Sequence, residues 1–391
     1  MKSIVVHEDG TKLSYLDTGP PSSTNPVYTT IFAVHGIVFC SCPFQVCDAL
    51  IVPQLILLSL AIFQKVSDIC CDAGIRFVAI SRRGYKGSTP LSDADKAILS
   101  EGTDTQKTDW LKSRGLEISN FVNSFIIRED LPASSPEGQG GCVLLGWSLG
   151  CSFTLSAIAH IDALRTEVQA RLASHLRAHI LHGPPHLDLL RLATSLQNFA
   201  LEPPTFSLGL PSAPAHMPGV DDSPAISDEK KARLLMNWLS SYFEHSGLLT
   251  RDPTGLDVVP SVTRIPSTWN MSLAEATDIM HIDQYITFDN LFLRNCQHQV
   301  NVNYKAVLFG RAVRGRLPRM DNWLLIGDAS IAPCVSVLWS IQDDDKAYGG
   351  GNVGYKVLPG MNHFVSCRFH SSAVYRAYLP PGTRCIGTSP N

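Results

Sequence analysis

Charge is scarce in this chain. Only 17% of its 391 residues are Asp, Glu, Lys or Arg, and 32 basic against 35 acidic side chains leave a formal net charge of -3. No lysine- or arginine-rich run is present, so nothing supplies the positive field with which proteins hold nucleic acid. The first residues, Met1 to Asp9, lack the apolar core and small-residue cleavage site of a secretory signal. The cysteines number 11, an odd count, and are scattered without paired Cys-x-x-Cys sets. That spread argues against a disulfide frame or a zinc site and for reduced thiols, so a cytoplasmic protein is the expectation. Long uninterrupted hydrophobic runs are wanting too. Cys47 to Phe63 is apolar but carries Asp48, Pro53 and Gln54, and its clean part, Leu55 to Phe63, is too short to cross a bilayer. A buried or cap-packing helix is expected there, not a membrane span.

Apolar residues are plentiful, at 45% of the chain, enough for a large core built as one big domain or as a domain with an inserted cap. The stretch that organises the rest is Gly146-Trp147-Ser148-Leu149-Gly150. It follows the apolar run Cys142 to Leu145 and precedes a segment of small, helix-compatible residues from Cys151 to Leu164, which reads as strand, tight turn and helix. Such a turn strains the serine backbone and demands small neighbours two residues away on each side, as Gly146 and Gly150 are. It also holds the hydroxyl clear of the sheet. In a glycine-rich chain the bare pattern can arise by composition, but the flanking strand and helix argue for a nucleophile at Ser148.

Around this turn the chain alternates strands and helices. Ser3 to His7 and Lys12 to Leu16 flank the Asp9-Gly10 turn and predict an edge hairpin. Central strands are predicted at Thr29 to Val34, ending at His35-Gly36, and at Arg76 to Ile80, ending in Ser81 to Ser88. Asp93 to Ile127 reads as helical, Ala178 to Leu181 as a buried strand stopped by Gly183-Pro184-Pro185, Trp323 to Asp328 as a strand with its turn, Ile331 to Ile341 as helical despite Pro333, and Gly354 to Leu358 as the last strand. Alternation of this kind implies α/β architecture: a mostly parallel central sheet with flanking helices, and ligand sites beyond the carboxyl ends of the strands. His35, Ser81, Ser148, Gly183, Asp328 and His363 all fall at such ends and should converge.

From His186 to Pro318 the rhythm breaks, as in an inserted helical cap. Ser227 caps a helix there, with Asp228 and Glu229 in its first turn and Leu234, Leu235, Trp238, Leu239, Tyr242 and Phe243 along one side. That aromatic stripe reads first as core. Trp269, Asn270, Met271 and Met280 are candidates for facing a substrate, and the Asn270-Met271-Ser272 sequon is discounted without a secretory signal.

A serine hydroxyl needs a base within hydrogen-bond reach. His363 is the best candidate among the 13 histidines, because it directly follows the last strand and lies downstream of the serine. His35, before Gly36, reads as shaping a loop.

In order, His35-Gly36, Arg82-Arg83-Gly84-Tyr85-Lys86-Gly87-Ser88, Gly146-Trp147-Ser148-Leu149-Gly150 and Gly360-Met361-Asn362-His363-Phe364 resemble the α/β-hydrolase fold family, AB hydrolase-1 type. The resemblance covers residues 1–185 and 319–364, with 186–318 as the cap. It implies a serine hydrolase that cleaves an ester or thioester-type acyl bond through a Ser-His-Asp triad and an acyl-enzyme. The oxyanion hole would use the backbone N–H groups of Ile37 and Leu149, and no metal or organic cofactor is implied. The Arg82 to Ser88 turn is expected to be structural, with its arginines off the catalytic list. Serine at the elbow separates the chain from epoxide hydrolases and haloalkane dehalogenases, which resemble this fold but carry a carboxylate there.

Three features depart from the family pattern. Ser330 stands where the acid is usual, which leaves Asp328 as first choice, with Asp188 and the run Asp343-Asp344-Asp345 as alternatives. Residues 38–60 form an atypical insertion beside the oxyanion loop, either a lid or translated intron sequence. Residues 365–391, with Pro380-Pro381 and no helical apolar period, predict an irregular tail. An acyltransferase on the same scaffold would share every motif, and a non-catalytic binding protein is the rival of a different class.

Overall fold

The computed structural model describes residues 2–21, 27–38, 63–136, 138–182, 204–211, 225–270 and 280–364. Most of the 38–60 insertion, the tail 365–391, Asp188, the Gly183-Pro184-Pro185 stop, the Asn270 side chain and Met271 lie outside these residues.

The described residues form one eight-stranded sheet in the order β1-β2-β4-β3-β5-β6-β7-β8. Its strands are β1 (Lys2–Val5), β2 (Lys12–Asp17), β3 (Thr30–Val34), β4 (Arg76–Ile80), β5 (Cys142–Trp147), β6 (Leu176–His182), β7 (Asp321–Gly327) and β8 (Val353–Leu358). The β1-β2 hairpin is antiparallel and joins β4 antiparallel, while β3 to β8 are parallel to one another and to β4. With β4 lying outside β3 and a helix over nearly every crossover, this is the α/β-hydrolase fold.

The helices arise where the sequence places caps. Helix α1 spans Gln64–Asp72, and α2 (Asp93–Glu101) and α3 (Asp104–Glu129) each begin with a capping box, at Ser92/Asp95 and Thr103/Gln106. Gly102 separates α2 from α3 within the single helical segment predicted from sequence. Helix α4 (Gly150–Ala159) follows the elbow, and α5 (Thr166–His175) precedes β6. Helix α6 (Asp228–Leu239) starts at the predicted Ser227 cap but stops short of Tyr242 and Phe243, which are buried beyond its end. A continuous helical run then passes through Ile282–Gln284, a wide π turn at Tyr285–Asp289, and α7 (Asn290–Asn295). Helices α8 (Gln297–Phe309) and α9 (Arg311–Arg316) lead into β7, and α10 (Ala332–Ala347) connects β7 to β8. Pro333 sits in the first turn of α10, where its missing N–H breaks no helical bond, so the helix runs on past Ile341.

The core lies on both faces of the sheet. Phe32 of β3 meets Phe121 and Phe125 of α3 edge-on, and Tyr15 joins the same cluster. Each fully buried aromatic there contributes about 2–3 kcal/mol by leaving water. Helix α8 buries Val300, Tyr304, Val307 and Leu308 and packs on α4, which seats part of the 186–318 segment directly on the elbow helix. No helix among the described residues is long and apolar enough to cross a membrane.

Register levels the strand ends. Val34 pairs with Ile80 on one side and Gly146 on the other, and Gly327 pairs with Leu358. His35, Ser81 and Ser148 therefore leave the sheet along the same edge.

Candidate active site

Ser148 follows the last residue of β5 with φ +53, a left-handed backbone conformation unusual for serine. The chain can turn this sharply only because its neighbours lack side chains. A methyl on Gly146 would lie 2.5 Å from Thr154 Oγ1, and one on Gly150 would lie 2.2 Å from the Val34 carbonyl oxygen. Gly36 is equally constrained: a methyl there would stand 2.8 Å from Ser148 Cβ and 3.3 Å from its Oγ. The His35-Gly36 loop is thus pressed against the serine, with Ile37 next to the contact. Leu149 is buried at the start of α4. Among the described residues, neither the Ile37 nor the Leu149 amide donates to a protein acceptor.

His363 reaches the same place from the far end of the chain. Its ring lies 5.7 Å from that of Trp147, the residue before the serine, and Trp147 Nε1 donates to the His363 carbonyl at 3.3 Å. Phe364 meets Trp147 edge-on at 5.2 Å. Asn362, fully buried, anchors the loop: its Nδ2 donates to the carbonyls of Ser240 (2.6 Å) and Ser241 (3.2 Å), and its Oδ1 accepts from the Phe364 amide. The structure therefore presses Gly36, the neighbour of Ile37, against Ser148 and packs the His363 loop on Trp147, the residue before the serine.

Asp328 follows β7 as predicted, but its carboxylate is turned to the backbone. Oδ1 accepts from the Gly360 amide at 2.5 Å, while the amides of Asp328 and Ala329 donate to the carbonyls of Leu358 and Met361. These three bonds zip the turn after β7 to the loop that carries His363. Burial, opposed by the Gly360 bond and by Arg264, holds the Asp328 carboxyl above the usual carboxylate range. Cys334 Sγ, from the first turn of α10, lies 3.5 Å from His363 Nδ1. Ser330, fully buried, takes the His245 ring on its backbone carbonyl at 2.7 Å. The run Asp343-Asp344-Asp345 is engaged elsewhere, by Arg251, by the Tyr304 hydroxyl and by the Gly351 and Asn352 amides respectively. In the 186–318 segment Trp269 is largely exposed, at 71%, and Met280 is partly buried against the core.

A buried polar knot that the sequence does not announce lies beneath the His35-Gly36 loop. Arg82 donates from Nε to the His35 carbonyl at 3.1 Å and from Nη2 to the Gly36 carbonyl at 2.8 Å. Its guanidinium also pairs with both carboxylate oxygens of Asp289, at 3.2 and 2.8 Å. Burial opposes this charge, but Asp289 and Tyr85 more than offset it and hold Arg82 above its ordinary pKa. His35 Nε2 accepts from the Arg82 amide at 3.0 Å, so its Nδ1 carries the proton and donates to the Gly36 carbonyl at 2.9 Å. Burial and the neighbouring Arg82 push the His35 pKa far down, which keeps the ring neutral and suits it to shaping a loop. The clue in the sequence was an arginine two residues beyond the end of a central strand. Its acidic partner is 207 residues away.

A cavity bounded by Leu13, Arg83, Arg114, Glu117 and Phe288 lies behind Arg82, and neither Ser148 nor His363 lines it. No group of three or more potential metal ligands occurs among the described residues.

No family model and no curated protein matches the chain. Solved structures do, at low identity. An epoxide hydrolase from Vigna radiata is 12% identical with a TM-score of 0.43, covering 96% of this chain and 94% of its own. The thioesterase domain from the curacin biosynthetic pathway is 13% identical with a TM-score of 0.41, covering 96% and 98%. A bromoperoxidase from Bacillus anthracis is 11% identical with a TM-score of 0.39, covering 93% of each chain.

Proposed function

We propose that the chain is a serine hydrolase acting on an ester, thioester or similar small acyl substrate. The observation that carries this reading is the strained Ser148 turn, with Gly36 against the serine and the His363 loop packed on Trp147. Ser148 Oγ attacks the acyl carbonyl as His363 takes its proton. The Ile37 and Leu149 amides receive the oxyanion, a contribution worth about a hundredfold or more in rate for one donor. His363 then returns the proton to the leaving group, and water, activated by the same imidazole, releases the acid. Residues 186–318 serve as the cap that shapes the acyl pocket. Asp328 supports His363 through the loop it zips, and Cys334 stands at the imidazole nitrogen that a triad acid would occupy.

One observation favours a second reading, a non-catalytic binding protein: the Asp328 carboxylate is turned to Gly360 and a thiol faces Nδ1. A fluorophosphonate probe separates the two. Labelling of folded protein that disappears in Ser148→Ala supports the enzyme, and absent labelling supports the binder. Product analysis with an added alcohol or amine acceptor distinguishes hydrolysis from acyl transfer.

A further inference from the structure

The loop from His35 to Val38 has little regular structure of its own, yet it is held at both ends by hydrogen bonds. Its carbonyls at His35 and Gly36 take Arg82, and its Val38 amide donates to the Tyr85 hydroxyl at 3.0 Å. The Val38 carbonyl accepts from the His281 amide at 2.6 Å. Val38 itself has φ +64, a conformation that costs a β-branched residue about 1–3 kcal/mol and persists only when its surroundings enforce it.

The Gly36-Ile37 peptide is trans, so its C=O and N–H point in opposite directions. Fixing the Gly36 carbonyl on Arg82 Nη2 and His35 Nδ1 therefore also fixes the Ile37 N–H, directed away from Arg82. We infer that Arg82 and Tyr85 are positioning residues that aim the Ile37 amide at the acyl oxygen, and that Asp289 of the 186–318 segment locks them in place.

The Tyr85 hydroxyl is used completely. It donates to Asp289 Oδ2 at 2.6 Å and accepts from the Val38 amide and from Arg82 Nη2, which exhausts one proton and two lone pairs. Asp289 closes the π turn Tyr285–Asp289, the kind of irregularity that helices keep at functional positions. The oxyanion donor is thereby tied to residues beyond β6, both through Asp289 and through the His281-Val38 bond. Hydrogen-bonded charges in so dry a place are stiff, because losing any one partner leaves a buried polar group unsatisfied.

The inference rests on Ser148 being a nucleophile, and its test keeps the two ideas apart. In the full-length protein, Tyr85→Phe removes one hydroxyl and keeps the ring against His35, while Arg82→Lys keeps the charge opposite Asp289 but cannot span two carbonyls. Fluorophosphonate labelling of Ser148 is expected to slow at least tenfold in Tyr85→Phe and more in Arg82→Lys. The loss should fall on the phosphonylation rate constant, not on probe affinity, because the amide is used only as charge develops on oxygen. Labelling of folded Tyr85→Phe at the wild-type rate overturns the inference, and that variant decides alone if Arg82→Lys does not fold. If wild-type protein is not labelled, the nucleophile assignment has failed, and the clamp is read from amide hydrogen exchange at Val38. Faster exchange by tenfold or more in Tyr85→Phe supports the clamp, and unchanged exchange overturns it.

Discussion

Cys334 Sγ lies 3.5 Å from His363 Nδ1, on the side of the imidazole where a triad would place a carboxylate. A neutral thiol is a weak hydrogen-bonding partner and stabilises an imidazolium far less than an aspartate does. Two substitutions measure what it contributes. Cys334→Ser keeps a polar partner of similar size and should hold the phosphonylation rate of Ser148 within about threefold, whereas Cys334→Val should lower it about tenfold, less than the roughly hundredfold or more of a positioned acid–base group because a thiol is a weaker partner. Equal rates in the two variants, with matched melting temperatures, would show that Cys334 merely fills space.

Asp328 gives the complementary prediction. Its Oδ1 accepts from the Gly360 amide, a bond that an asparagine oxygen can also accept, and burial already disfavours its charge. Asp328→Asn is therefore expected to leave melting temperature nearly unchanged and the rate within about tenfold of wild type, whereas neutralising a true triad acid costs about ten-thousandfold. Asp328→Ala should do more harm, because it removes the one side-chain bond of the three that join the turn after β7 to the His363 loop. A ten-thousandfold loss in Asp328→Asn would restore the carboxylate to the imidazole.

The difference between what the sequence disclosed and what it hid follows from range. The Ser148 turn, the Ser227 cap and the parallel strands are dictated by residues within a few positions, so glycine spacing and apolar runs exposed them. That the loop after β8 packs on Trp147 beside the Ser148 turn agrees with topology, since parallel strands deliver their carboxyl ends to one edge. Side-chain pairings over long separations left no such trace. Nothing near Arg82 announces Asp289, and nothing near His363 announces Cys334, because α10 turns that thiol inward only once the helix has docked. Position makes the aspartate after β7 a candidate acid, whereas the bond its Oδ1 accepts from the Gly360 amide leaves no trace in the sequence.

Gly36 tests the contact between the His35-Gly36 loop and the serine. A methyl placed 2.8 Å from Ser148 Cβ must push one of them away, and Arg82 holds the loop from behind. Gly36→Ala is expected to destabilise by about 1–3 kcal/mol, as overpacking does, and to slow labelling of Ser148 by about a hundredfold, as loss of an oxyanion donor does. Retention of the wild-type rate would mean that the loop yields without cost, and the proposed donor would have to lie elsewhere.

The last prediction concerns acid. His179 of β6 is fully buried between Thr154 Oγ1 and Asn322 Oδ1, and burial lowers its pKa to about 4 from an ordinary value of 6.5. His35 shifts in the same direction. A histidine with a depressed folded pKa is neutral in the native state while the unfolded chain binds a proton, so stability falls as pH drops below 6.5 and stops falling near the folded value. The slope per histidine is about 1.4 kcal/mol per pH unit. Between pH 6.5 and 5 His179 alone should thus remove about 2 kcal/mol from the unfolding free energy. His179→Gln keeps polar contacts without a titrating ring and should start less stable at pH 7 but lose less on acidification. Urea unfolding of both proteins at pH 7, 6 and 5 checks this. Parallel decline in the two would mean that the acid sensitivity originates elsewhere, with His35, whose pKa burial also lowers, the next residue to substitute.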